Sequence, residues 1–106
     1  MTEPKLRQAI WAPKVRIDLL LNLDYVAADS SQNANLVRER ILARVISLAN
    51  MTTGRAGRVF GTYEVYVPKT SLIICYEVPD EDTLHILRII HAKRNWPEGE
   101  WPREAE

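Results

Sequence analysis

Apolar residues follow a helical rhythm in the first half of this chain and a strand-like one in the second. Val15, Leu19, Leu23 and Val26 recur at spacings of four, four and three, which predicts an amphipathic helix from Pro13 to about Ala28. Leu20, Leu21 and Tyr25 widen its apolar face, so this helix should touch something on two sides. Pro13 suits a first helical turn, and the short apolar run Gln8-Ala9-Ile10-Trp11 before it reads as a strand. Asp29-Ser30-Ser31 breaks the helix and offers side-chain oxygens to cap the next. The second helix carries the stripe Ala34, Val37, Ile41, Val45 and Leu48, keeps Arg38, Glu39, Arg40 and Arg44 on its wet sides, and ends near Asn50. So short a linker predicts an antiparallel helical hairpin.

Beyond it, residues 51–61 hold three glycines and two arginines, a flexible bridge without the Gly-Lys-Ser/Thr ending of a phosphate-binding loop. Thr62 to Val67 then alternates polar residues with bulky β-formers before the turn Pro68-Lys69-Thr70. Two apolar runs follow, Ser71 to Val78 and Leu84 to His91, joined by Pro79-Asp80-Glu81-Asp82, which reads as a tight solvated hairpin loop. These three strands form an antiparallel meander, and the order β-α-α-β-β-β describes one α+β unit.

With 106 residues, 46% of them hydrophobic, the chain supports one core. No stretch approaches the roughly 18 apolar residues of a membrane span, and Met1 to Lys5 lacks the apolar segment of a signal peptide, so a cytoplasmic protein is expected. Cys75, the one cysteine, lies inside the most apolar strand and reads as core filler. His85 and His91 alone make a poor ligand set, so neither metal nor cofactor is expected. The zero net charge is unevenly spread: residues 1–58 hold nine Lys/Arg against five Asp/Glu, and the rest reverse that ratio. Much of the acid lies in residues 98–106, an acidic tail after a domain spanning 1–97, and the body without it is modestly basic.

Polar chemistry gathers where the last strand surfaces: His91, Lys93, Arg94 and Trp96 follow a buried run. Around this ending lie Trp11-Ala12-Pro13, Asp18-Leu19, Asp24-Tyr25-Val26-Ala27, Arg40-Ile41, Gly54-Arg55-Ala56-Gly57-Arg58, Gly61-Thr62-Tyr63-Glu64, Ile74, Tyr76, Val78 and Ile86 to Trp96. In that order and spacing, the chain resembles the ParE branch of the ParE/RelE toxin superfamily, the plasmid-stabilisation toxins of type II toxin–antitoxin operons. Asn22, Thr52-Thr53 and the acidic extension depart from the pattern. The resemblance implies a helical hairpin packed on a small antiparallel sheet, DNA gyrase as the target, and a cognate ParD-like antitoxin from the same operon. Leu20, Leu21 and Tyr25 would face that antitoxin.

Two further readings compete. RelE-like relatives cleave messenger RNA on the ribosome, which needs a base, cations around the phosphorane and an acid. His91, the cations Arg58, Arg88 and Arg94, and Tyr76 supply such a set on paper. Strand alternation, however, turns Arg88 away from His91 unless a bulge intervenes, and the acidic end disfavours direct nucleic-acid binding. An inactive family member kept as an interaction module is the other alternative. In the inhibitor reading, which leans away from an enzyme, Arg88, His91, Lys93, Arg94 and Trp96 are the target-binding residues.

Overall fold

Proline at the first helical turn and unbroken apolar runs later in the chain fold as expected into a helical hairpin on one face of a sheet. The structure, a computed structural model, describes residues 6–29, 31–51, 53–57 and 59–92, and of 24–29 and 31 the backbone alone. The elements run β1 (Gln8–Trp11), α1 (Pro13–Asp29), α2 (Ser31–Asn50), β2 (Arg55–Ala56), β3 (Tyr63–Tyr66), β4 (Leu72–Asp80) and β5 (Thr83–His91). The strands make one sheet in the order β1-β5-β4-β3-β2.

Val15 of α1 and Ile41, Val45 and Leu48 of α2 meet Val65, Leu72, Ile74, Tyr76, Leu84, Ile86 and Ile89 in the main core. Alternation sends Ile73, Cys75 and Ile90 to the other face, where they form a smaller buried cluster against Ala92. The Cys75 side chain is buried, as its place in the strand predicted. The outer side of the hairpin stays apolar: Ile17, Leu20 and Leu21 on α1 and Leu36, Leu42 and Ile46 on α2 are exposed.

The α+β class and the helical hairpin stand, while the sheet differs from expectation in three details. It is mixed, because β1 pairs with β5 in parallel, Gln8 opposite Thr83 and Trp11 opposite Ile86. A tight turn dictates direction only between consecutive strands, and β1 is separated from every other strand by both helices. The glycine-rich bridge contains a further strand, β2, whose Arg55 and Ala56 pair with Glu64 and Tyr63. Two residues are too few to show a period. Finally, β4 runs on through Pro79 and Asp80, so the turn narrows to Glu81 and Asp82. Pro79 is tolerated because the β4–β5 register slips between Glu77 and Asp80, where a missing N–H costs no ladder bond. Asp82 N–H donates to the Asp80 carboxylate at 2.8 Å, and this bond foremost holds the Asp80 carboxyl below the usual range.

Candidate functional site

Strand β1 stops at Trp11, opposite Ile86, so among the described residues β5 has no strand neighbour on that side beyond this point. Helix α1 crosses there and Asp18 takes the strand's place. Its carboxylate accepts the Ile89 N–H at 3.1 Å and two guanidinium bonds from Arg88, Nε at 2.7 Å and Nη2 at 2.8 Å. Both side chains are only 10% exposed, so this is a bidentate, buried ion pair. A bulge at Leu87 accompanies it, since Cys75 faces Arg88 but Tyr76 faces Ile86. Arg88, expected at the surface as a target contact or a phosphate clamp, instead has its guanidinium committed to α1.

His91 closes β5 opposite Leu72 and is half-buried. It lines a small pocket of about 190 Å³ with Asn22, Val37, Lys69 and Thr70. Asn22, polar where an apolar residue was expected, donates its side-chain amide to the Asp18 carbonyl at 2.8 Å. The expected companions of His91, namely Lys93, Arg94 and Trp96, lie outside the described residues, as do Arg58 and the side chain of Tyr25.

Tyr76 is buried and donates its hydroxyl to the carbonyl of Thr53, tying the bridge after α2 to the sheet. Its ring stacks on Tyr63, with centroids 5.6 Å apart and planes at 26°. Burial, and then the neighbouring Tyr63, push the Tyr76 phenol above its ordinary value, against a smaller opposing pull from Arg44. Thr53, Gly54, Gly61, Tyr63, Tyr76 and Val78 enclose a cleft of about 470 Å³. Gly54, at a φ of 121°, is required here: a Cβ would stand 2.7 Å from the Glu64 carbonyl oxygen.

The ribonuclease set is therefore not assembled by the described residues. In the β4–β5 register Tyr76 faces Ile86 and His91 faces Leu72, four residues before Tyr76 on β4, so the two side chains are roughly 13 Å apart along the strand. The Tyr76 hydroxyl and the Arg88 guanidinium both have structural partners. No group of three potential metal ligands occurs among the described residues, and no helix among them is long and apolar enough to cross a membrane.

Of the expected antitoxin-facing residues, Leu20 and Leu21 are exposed side by side on α1. Sequence reasoning missed four residues. Asp18 was visible as an acid three residues after Val15, on the stripe itself. Leu42 and Ile46, one turn apart and off the core stripe, marked a second apolar face on α2. Phe60 gave no signal, because one aromatic in a glycine-rich bridge has no period.

A family model described as ParE toxin of type II toxin-antitoxin system, parDE, matches residues 9–96. A chain of the chromosomal ParDE TA system from P. aeruginosa shares the fold with a TM-score of 0.74 and 22% identity, covering 83% of this chain and 98% of its own. No curated protein matches the chain.

Proposed function

The chain belongs to the ParE toxin family of type II toxin–antitoxin systems, and on that premise we propose that it binds and inhibits DNA gyrase in the cytoplasm until a cognate ParD-like antitoxin neutralises it. Inhibition by binding is favoured over RNA cleavage by one observation above all: Arg88, the strand cation nearest His91, is buried and held bidentately by Asp18. A cation so engaged cannot move to a scissile phosphate without leaving a carboxylate buried and unpaired.

The exposed leucines of α1, with Tyr25 beyond them, are the proposed antitoxin surface, since a broad apolar helix face suits an amphipathic partner. The end of β5 at His91, continuing in sequence to Lys93, Arg94 and Trp96, is the proposed target surface. Expression without the antitoxin should arrest bacterial growth with DNA damage, and the purified chain should inhibit gyrase supercoiling. Co-expression of the protein encoded by the adjoining reading frame should relieve the arrest. Primer extension on cellular messenger RNA should show no new ends; codon-positioned cuts abolished by His91→Ala would replace this reading with the ribonuclease.

A further inference from the structure

Neither the apolar face of the helices nor the end of β5 accounts for Phe60. This residue stands fully exposed at the tip of the β2–β3 hairpin, an unusual place for a large aromatic side chain. The tip that carries it is closely tied. Gly57 N–H donates to the Thr62 carbonyl at 2.8 Å, Thr62 N–H to the Val59 carbonyl at 3.1 Å, and the Thr62 hydroxyl to that same carbonyl at 2.6 Å. A Cβ on Gly57 would fall 2.3 Å from the Thr62 hydroxyl oxygen, so glycine alone lets the hairpin close. Gly61 completes the turn at a φ of 83°, in the left-handed region. The backbone around Phe60 is thus set before any partner arrives, which keeps the ordering cost of a contact low.

Tyr63, which follows the turn, and Tyr66, three residues on and facing the opposite side of β3, are each about half exposed, and the Arg55 guanidinium lies 5.5 Å from the centre of the Tyr66 ring. The Arg55 side chain is 63% exposed and stands 3.7 Å from Glu64, whose own side chain is buried. Aromatic residues and arginine dominate binding hot spots. Residues 51–61 contain two arginines and no acid, so the complementary surface is acidic.

We propose that this hairpin tip is a docking surface for the toxin's cellular target, a folded protein that receives Phe60 in an apolar pocket with carboxylates at its rim. The inference rests on the reading that the chain acts by binding a protein, and it goes beyond that reading in placing a contact at the end of the sheet away from His91. A protein is favoured over single-stranded nucleic acid because two arginines are too few to hold a phosphate backbone.

The test compares the unmodified chain with Phe60→Ser, Phe60→Trp and Arg55→Ser in antitoxin-free cells, in gyrase supercoiling assays, and in binding to the antitoxin from the adjoining frame. Phe60 has no buried area to lose, so Phe60→Ser should melt at the temperature of its parent. It should need about thirtyfold more protein to arrest growth, as expected for a hot-spot aromatic. Phe60→Trp should retain most toxicity, Arg55→Ser should be intermediate, and antitoxin affinity should not change. Full toxicity of Phe60→Ser overturns the inference and leaves gyrase inhibition standing. Loss of arrest in Phe60→Ser, when the unmodified chain arrests growth without touching gyrase, supports the surface and overturns gyrase as the target. Loss of antitoxin affinity with toxicity retained, or Phe60-dependent binding of labelled single-stranded DNA or RNA, reassigns the tip and overturns the inference. An unmodified chain that arrests nothing overturns both.

Discussion

Strand β5 and the β2–β3 hairpin share a sheet but are held in place by opposite means. β5 lies between β1 and β4, buried at Leu84 and from Ile86 to Ile90, and it keeps an arginine inside only because Asp18 receives it. The hairpin sits at the edge on a two-residue ladder, and its shape comes from glycines and turn hydrogen bonds. In the centre, apolar burial does the holding and an unpartnered charge would be intolerable. At the edge, backbone geometry does it and an aromatic ring is left in water. Resistance to unfolding and recognition of a partner can thus be altered separately.

The sharpest way to break this contrast is a charge in the centre. Ile74→Asp should give no folded protein, since an unpaired buried carboxylate costs several kcal/mol against a total of roughly 5 to 15. Cys75→Ala beside it should stay folded. A normal circular-dichroism melt for Ile74→Asp would show that burial does not govern the centre. Asp18→Ala comes next, at about 3–5 kcal/mol in urea unfolding, because it strands the Arg88 charge. Replacing both members, Asp18→Leu with Arg88→Met, should recover much of that loss; a double variant as weak as Asp18→Ala would point to the Ile89 N–H as the dominant contact.

The smallest effect lies at the joint between the two regions, where the Tyr76 hydroxyl holds the Thr53 carbonyl. Tyr76→Phe should lose about 0.5–1.5 kcal/mol at neutral pH. The folded state raises this phenol, so its contribution is fully present below about pH 10, the unfolded value, and is lost as pH rises through the higher folded value. Urea titrations above about pH 10 should therefore show stability falling in the parent and falling less in Tyr76→Phe. Parallel slopes would mean that another group titrates.

Elements with a period or a strong punctuating residue were legible in the chain. Pro13 marks the start of α1, and Gln8 to Trp11 reads correctly as a strand. The parallel neighbour of β1 was not legible, because direction across a long connection leaves no local trace. Nor was β2, at two residues. Of the candidate site, exposure of Leu20 and Leu21 followed from an apolar face too wide for one core. The Asp18–Arg88 pair escaped because alternation describes a flat strand, whereas a bulge at Leu87 and a partner seventy residues away decide where this guanidinium goes.

The parallel pairing of β1 with β5 also governs when the toxin comes into being. Gln8 is made early and pairs with Thr83, made late, so the sheet cannot close until nearly the whole domain has left the ribosome. Such non-local pairing slows folding, and at about 5 to 20 residues per second synthesis itself imposes a delay of several seconds. A ribosome that stalls before β5 leaves a chain without the strand that joins β1 to β4, and the surface at His91 is among the last parts of the domain to exist.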